Sequence, residues 1–434
     1  MQEQFHKHIT NSFPFLKNSK ILIAISGGVD SVVLAHLSHQ LRLNIALAHC
    51  NFNLRDSESD ADEAFVTKLS KQLSVTLHVK HFETKAYAQE KKCSIQMAAR
   101  ELRYKWFDML CETIPYDYVL TAHHADDNLE TFLINMSRGT GLEGLAGIPA
   151  VNQNIIRPLL PFSRSEIEKY ATENKLMWRE DSSNEDTKYL RNKIRHHIVP
   201  QLKKLHPEFL YNFQKTQQYI TGSLKVLKNH IDALKKSLIV QEGTIEKYLV
   251  TSLQKLVPQE DYLYGLFRSY GFTETKDIIN LLNAQSGKQL FSETHRMIKD
   301  RDYVLIQELK KGIEREEYLI SEETKGLSEP ISIKIAEVSE EGTNTSSTIY
   351  VNEKLKFPLS LRKWKEGDYF YPKGMKGKKK LSDYFKDEKY SLIAKENQWL
   401  LCSGNSIVWI IGKRVDNRFI ITNATTKIFK INIL

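Results

Sequence analysis

Over the first two hundred residues, short apolar runs of strand length alternate with stretches in which apolar residues recur every three or four positions. The runs at Ile21 to Ile25, Asn44 to Cys50, Val75 to Phe82 and Tyr118 to Ala122 predict strands. The helical periodicities between them fall near Ser31 to Gln40, Ala61 to Leu73, Ile95 to Thr113 and Asp127 to Ser137. Strands separated by helices predict a parallel sheet, because joining parallel strands takes a crossover connection that a helix normally supplies. The expected class is therefore α/β, a Rossmann-like sheet with helices on both faces and ligands at the carboxyl ends of the strands.

Another helix, Ser165 to Lys175, is announced by Ser163 with Glu166 three positions on, the spacing of a capping box. The pattern changes near residue 213. From Phe209 to Leu238 it is continuously helical and lysine-rich, apart from Gly222. A mixed segment follows to about 308, then the polar stretches "KKGIEREEYLISEETKGLSEP" and "SEEGTNTSST", and from Ile331 a strand-rich end. The expected division is 1–213 for the α/β domain, 214–310 for a mainly helical middle domain with its long linking helix, and 311–434 for a small α+β C-terminal domain.

Composition narrows the setting. The chain has 434 residues, 41% hydrophobic and 26% charged, which suits a soluble protein of two or three domains. No apolar run approaches the roughly 20 residues of a membrane span, and the N-terminus lacks the basic start and apolar core of a signal peptide. A cytoplasmic protein without a membrane partner is expected. Cys50, Cys93, Cys111 and Cys402 are too few and too scattered for a disulfide framework, and none form a CxxC spacing. The net charge of +9 favours a polyanionic partner without naming one.

Two motifs carry candidate chemistry. In "ILIAISGGVDSVVLAHL", residues Ser26, Gly27, Gly28, Val29, Asp30 and Ser31 follow a predicted strand and open a helix. Glycines there let backbone N–H groups approach an anion, and the helix N-terminus adds its positive end. The alternative is a plain strand-to-helix turn capped by Asp30 or Ser31. The run is neither GxxxxGK[ST] nor GxGxxG, so no lysine reaches the outer phosphates. In "TAHHADDNLETFLINMSRGTGLEGLAGI", Asp127 and Glu130 stand three apart on one helical face, as a shared divalent cation would require. An acidic first turn that serves only the helix dipole is the competing reading.

"SGGVDS" after an apolar strand resembles the pyrophosphate loop of the N-type ATP pyrophosphatases, which cleave ATP between its α- and β-phosphates. The block beginning "HHADDNLET" is similar to that of the tRNA(Ile)-lysidine synthetase family. So are "HCNFNLRDSESDADE", "AARELRY", "IIRPLLPFSRSEI" and "WREDSSNEDTKYLRNKIRHHIVP", spread in family order over most of the first 200 residues. Near the other end, "LRKWKEGDYFYPKGMKGKKKLSDYFKDEK" resembles the basic segment of that family's last domain. After Asp387 the sequence departs from the family's usual continuation. The sulfur-transferring members of the superfamily use paired cysteines, which this sequence does not present as a pair.

The resemblance implies a PP-loop ATPase fold and a ligase that joins free L-lysine to the wobble cytidine of tRNA(Ile) with a CAU anticodon. It implies ATP and Mg²⁺ as cofactors and leaves a homodimer open. The loop from Ser26 to Ser31 would hold ATP, with Asp30, Asp127 and Glu130 on the metal. Arg103 and Arg195 join these three as catalytic candidates, and Arg100, Arg191, Lys376, Lys378, Lys379 and Lys380 are the candidates for binding substrate and tRNA. Among the aromatics beside the lysine run, Trp364, Tyr369, Phe370 and Tyr371 are expected to offer stacking surfaces for bases.

Overall fold

The structure is a computed structural model describing residues 1–54, 57–180, 190–242, 245–309, 317–375 and 377–434. It divides into two compact units, Met1–Asn229 and His230–Leu434.

The first unit begins with α1 (Gln2–Ser12) and β1 (Lys20–Ala24), followed by α2 (Val29–Gln40), β2 (Asn44–Asn51), α3 (Ser57–Leu73) and β3 (Leu77–His81). Then come α4 (Thr84–Lys91), α5 (Ile95–Thr113), β4 (Tyr118–Leu120), α6 (Ala125–Ser137), α7 (Leu142–Leu145), β5 (Val151–Asn152), β6 (Ile155–Ile156) and α8 (Arg164–Glu173). The last elements are α9 (Leu190–Lys193), a π-helical turn at Ile194–Ile198, α10 (Val199–Leu205) and the long α11 (Phe209–Leu238), inside which the boundary between the units falls.

The sheet order is β3-β2-β1-β4-β6-β5, parallel throughout except for β5, which runs antiparallel at one edge. Alternation along β1 explains why helices cover both faces. Ile21 and Ile23 pack with Val32, Val33 and Leu34 of α2 and Ile167 of α8, whereas Leu22 packs on the other side with Trp106, Phe107 and Leu110 of α5. Each of the three β1 side chains is fully buried and contributes about 2 kcal/mol. The capping box of α8 is as the sequence predicts: the Ser163 side chain accepts from the Glu166 N–H while the Glu166 carboxylate accepts from the Ser163 N–H. The chain leaves β1 in one direction for β2 and β3 and reaches β4 on the other side, so β1 and β4 flank the point where the sheet order reverses.

The second unit adds a sheet to the expected helices of the middle segment. Strands β7 (Ile239–Glu242), β8 (Ile245–Leu249), β9 (Gln289–Phe291), β10 (His295–Asp300) and β11 (Tyr303–Glu308) form an antiparallel sheet in the order β7-β8-β11-β10-β9. Against it pack α12 (Val250–Gln254), α13 (Gln259–Phe267) and α14 (Thr275–Leu282), through Leu253, Leu263, Phe267 and Ile278.

The C-terminal part holds two four-stranded sheets. One joins β12 (Glu317–Ile320), β16 (Leu359–Lys363), β19 (Trp399–Ser403) and β20 (Ser406–Ile410). The other joins β13 (Gly326–Leu327), β14 (Ile333–Val338), β15 (Thr348–Val351) and β21 (Ile428–Ile433). A two-stranded ribbon, β17 (Tyr369–Phe370) and β18 (Lys379–Lys380), leads into α15 (Leu381–Asp387) and α16 (Leu392–Asn397). Among the described residues, no helix is long and apolar enough to cross a membrane. All four cysteines are free.

Candidate active site

The glycine loop leaves β1 at its carboxyl end. Gly27 has φ +93°, a conformation costly for any residue with a Cβ, while Gly28 is extended and caps α2. The flanking serines fold the loop. The Ser31 hydroxyl donates to the Gly28 carbonyl (2.9 Å) and accepts from the Ser26 N–H (3.2 Å), and the Gly28 N–H donates to Ser26 Oγ (3.3 Å). From outside, the Arg179 N–H donates to the Gly27 carbonyl (3.0 Å) and the Arg179 side chain pairs with Asp62 of α3.

Asp30 sits in the first turn of α2. Its Oδ2 pairs with the Arg164 guanidinium, while its Oδ1 is buried without a hydrogen-bond partner among the described residues. Burial is the largest influence on this carboxyl and pushes its pKa up. The charges of His124 and Arg164 oppose burial without cancelling it, and Asp127 adds to the rise.

The carboxyl end of the neighbouring strand, β4, supplies the other half of the site. His124 caps α6 in a reciprocal arrangement: its Nδ1 accepts from the Asp127 N–H, and Asp127 Oδ2 accepts from the His124 N–H (3.1 Å). Its other ring nitrogen, Nε2, lies 3.7 Å from Asp30 Oδ1 and 3.4 Å from Asp127 Oδ2, so one buried imidazole stands between the two carboxylates. Burial works to raise the Asp127 pKa, but the charges of His124, His123 and Arg191 and the His124 N–H outweigh it and hold that carboxyl below its ordinary value. His123, bonded to Thr121 Oγ1 (3.0 Å), is pushed down to about 4, chiefly by burial.

Glu130 shares its helix face with Asp127, as the spacing requires, but its carboxylate is turned into two arginines. Arg195 donates through Nε to Oε1 (2.6 Å) and through Nη2 to Oε2 (3.0 Å), and Arg191 donates through Nε to Oε2 (2.8 Å). With its side chain 1% exposed, the charge of Glu130 must be compensated inside the protein. Arg195 also reaches Asp127 Oδ1 (3.1 Å). Arg195 belongs to the π-helical turn, whose Ile194 packs with Leu129, Val199 and Phe213 and so seats the turn against α6. Among the described residues, no three His, Cys, Asp or Glu side chains are grouped to hold a metal. Asp30 and Asp127 are the two carboxylates that could face a hard cation, and Asp30 Oδ1, which has no hydrogen-bond partner among the described residues, fits that use. Two carboxylates are a usual protein share for magnesium, which takes its other ligands from water and phosphate.

Arg100 is exposed and lies over the Tyr104 ring (4.9 Å); Arg103 lies over Phe52 (5.3 Å). Burial pushes the Cys50 thiol up to about 12 against the pull of Arg103, so Cys50 is not a thiolate. His49 is buried on the Ile25 carbonyl (2.9 Å).

At the C-terminal ribbon, Lys378 and Lys380 are exposed, whereas Lys379 pairs with Asp387 (2.6 Å). Lys376 lies outside the described residues. Two of the expected stacking aromatics are taken by the fold: Phe370 is fully buried, because β17 alternates one side chain inward, and the partly buried Trp364 packs edge-on against Phe385. Tyr369 and Tyr371 remain beside the lysines, under Lys378 (4.7 Å) and Arg418 (4.6 Å) respectively.

Four participants were not picked out from the sequence. Arg164 pairs with Asp30, Arg179 braces the loop, Lys203 pairs with Asp126, and buried Arg157 donates to the Pro149 carbonyl (2.7 Å). Arg157, Arg164 and Arg179 lie in the quoted segments "IIRPLLPFSRSEI" and "WREDSSNEDTKYLRNKIRHHIVP", where the density of arginine was the available signal.

Residues 1–202 match the family of the PP-loop domain, residues 241–309 that of the TilS substrate binding domain, and residues 359–432 that of the TilS substrate C-terminal domain. The chain is 39% identical over 424 residues to a tRNA(Ile)-lysidine synthase of Parabacteroides distasonis, covering 95% of each chain. It is 37% identical over 431 residues to one from Bacteroides thetaiotaomicron, covering 99% of this chain and 98% of that one. A Clostridium tetani protein of the same name is 30% identical over 446 residues, covering 96% and 95%.

Proposed function

The chain belongs to the tRNA(Ile)-lysidine synthase family, and from that premise we propose how its residues carry an ATP-dependent ligation. The enzyme is a ligase that uses ATP and forms lysidine in tRNA(Ile). In our reading it joins free L-lysine to C2 of the wobble cytidine of the CAU anticodon, releasing AMP and pyrophosphate and changing the codon read from AUG to AUA. Residues 1–213 carry the chemistry, 214–310 form the middle domain, and 311–434 bind tRNA.

The observation that carries this reading is the meeting of Asp30 and Asp127 across His124, at the carboxyl ends of adjacent strands β1 and β4. That is where an open α/β sheet binds its ligand, and the glycine loop beside it suits a phosphate chain. The bond changes take two steps. Cytosine O2 attacks the α-phosphorus, the bond to the β-phosphate oxygen breaks, and pyrophosphate leaves from an O2-adenylated cytidine. The lysine ε-amine then attacks C2, AMP leaves with O2, and the amine gives up its proton.

The residues take the following roles. Amides of the loop from Ser26 to Ser31 hold the departing phosphates. Asp30 and Asp127 hold magnesium, which supplies positive charge where pyrophosphate charge builds. Glu130 orients Arg191 and Arg195 toward the cytidine or the tRNA backbone, and its two-arginine contact argues for that duty over metal binding. Arg100 and Arg103 face the adenylated base or its phosphate. Lys378 and Lys380 bind tRNA phosphates, joined by Lys376, with Lys379 partly neutralised by Asp387.

Incubation with labelled lysine, ATP and anticodon variants of the tRNA tests the reading. Lysine is expected to enter the RNA only when the first anticodon base is C. Incorporation independent of that base, or a requirement for a sulfur donor, overturns it.

A further inference from the structure

Arg164 is fixed at its backbone, while its guanidinium is partly exposed and reaches out to two carboxylates. It opens α8, and the segment leading to it is tied to the first turn of α6 by two bonds. The Ala125 N–H donates to the Phe162 carbonyl (2.9 Å), and the Arg164 N–H donates to Asp126 Oδ2 (2.8 Å). The Asp126 carboxylate is held in turn by Lys203. The Cα of Arg164 is thus registered to α6, the helix that carries Asp127. Its guanidinium reaches across to α2, where Nη1 pairs with Asp30 Oδ2, and Nε donates to Glu168 (2.7 Å).

Two features make this pair unlike a structural salt bridge. The Arg164 side chain is 42% exposed, so water reaches the guanidinium and can solvate it if it leaves Asp30. Meanwhile the other oxygen of Asp30 is buried without a hydrogen-bond partner among the described residues, with His124 Nε2 3.7 Å away. A carboxylate held on one oxygen by a partly exposed arginine, and on the other facing the His124 ring at 3.7 Å without a hydrogen bond, is prepared for a different cation. Guanidinium is itself well matched to phosphate, which it grips through two parallel N–H donors.

We propose that Arg164 exchanges partners during the reaction cycle. It neutralises Asp30 while the site is empty, and it binds the pyrophosphate portion of ATP once a divalent cation takes Asp30. The exchange keeps Asp30 compensated in both states and makes cation and phosphate binding cooperative, since each frees the partner that the other needs. Arg164 is then a substrate-binding residue whose resting contact is with the metal ligand. The inference rests on the proposed ATP site, but its test needs neither tRNA nor turnover.

Binding of inorganic pyrophosphate in EDTA, followed by titration calorimetry, isolates the exchange. Asp30→Asn should tighten metal-free pyrophosphate binding at least threefold, because Arg164 is released. Asp30→Asn/Arg164→Ala should lose that gain and bind at least tenfold more weakly than Asp30→Asn. In the absence of nucleotide, Arg164→Ala should bind Mn²⁺ at least threefold more tightly than the unaltered protein, read from the free-ion EPR signal. Arg164→Lys, which keeps the charge and the fold, should retain pyrophosphate affinity between those of the unaltered and alanine proteins. If Asp30→Asn leaves metal-free pyrophosphate binding unchanged or weaker, or if Arg164→Ala fails to tighten Mn²⁺, the exchange is wrong. Lysine incorporation by the unaltered protein is scored separately, so failure of the assigned reaction does not pass for failure of the exchange.

Discussion

Glu130 and Arg195 meet through two parallel hydrogen bonds, Nε to Oε1 at 2.6 Å and Nη2 to Oε2 at 3.0 Å, around a carboxylate whose side chain is 1% exposed. The fork geometry fixes the plane of the guanidinium, and Arg191 completes the pairing from one turn away. The partners are 65 residues apart in the chain. A residue that sequence spacing offers as a metal ligand is here bonded by two arginines, which is why we read it as their anchor.

This relationship predicts a specific cost for Glu130→Gln. The amide keeps the shape but loses the charge, so both arginines lose their counter-ion and the fork loses one acceptor. We expect a loss of about 2 kcal/mol in urea unfolding. That is below the roughly 3–5 kcal/mol for breaking a fully buried pair, because both arginines still reach water. Lysine incorporation should fall about 100-fold, as for a misplaced catalytic group, while Mn²⁺ binding stays within about twofold. A large loss of Mn²⁺ affinity would return Glu130 to the metal.

Asp30 and Asp127 should respond oppositely to pH. Burial raises the Asp30 pKa above its ordinary 3.8, so the folded protein binds that proton more tightly than the unfolded chain. The ionised carboxylate then subtracts stability, increasingly as pH rises from 3.8 through the folded value. Asp127 is held below 3.8, so its contribution is present above that pH and is lost as pH falls through the lower folded value. Melting temperatures at pH 7 should therefore rise for Asp30→Asn and fall for Asp127→Asn, and both differences should shrink toward pH 3. Asp30→Ala should abolish tRNA-dependent pyrophosphate release, by about 100-fold or more, with tRNA affinity nearly intact. The same sign of melting shift in both asparagine variants would contradict the electrostatic assignment.

Much of the first unit was legible because its signals are local. The helix from Ile95 to Thr113 and the long one from Phe209 to Leu238 end where periodicity predicts. Strand β1 alternates its side chains between two cores, as a strand covered on both faces must. The capping box at Ser163 is a four-residue pattern and is present as read. The pairing of Arg164 with Asp30 spans 134 residues and follows from tertiary packing, which no window of sequence contains. The middle sheet was also missed, since β7 to β11 are short and interleaved with helices in a segment of mixed pattern. For Glu130, the face was legible and the partner was not.

Gly27 gives a backbone test of the loop. Its φ of +93° falls outside the region open to ordinary residues, while an added Cβ would meet Phe65 Cδ1 at 3.5 Å, an ordinary contact. The penalty for Gly27→Ala is therefore conformational, about 1–2 kcal/mol, and is relieved by tilting the peptide that carries the loop amides. We expect weaker ATP binding, a KM for ATP at least tenfold higher, and tRNA binding unchanged in a filter assay. An unaltered KM would show that the loop geometry does not set nucleotide affinity.

The C-terminal ribbon predicts a graded salt dependence. Lys378 and Lys380 are exposed, whereas Lys379 is already paired with Asp387, so the three lysines are not equivalent phosphate contacts. Each phosphate neutralised on binding releases counter-ions and adds roughly 0.7–0.9 to the log–log slope of affinity against salt. Lys378→Ala/Lys380→Ala should flatten the slope for tRNA by roughly 1.5 and weaken binding most at low salt. Lys379→Ala should change it by less than about half of one contact, because a lysine held by Asp387 is not free to neutralise a phosphate. Should Lys379→Ala flatten the slope as much as the double variant, the ion pair with Asp387 does not persist on the RNA, and the ribbon rearranges when it binds.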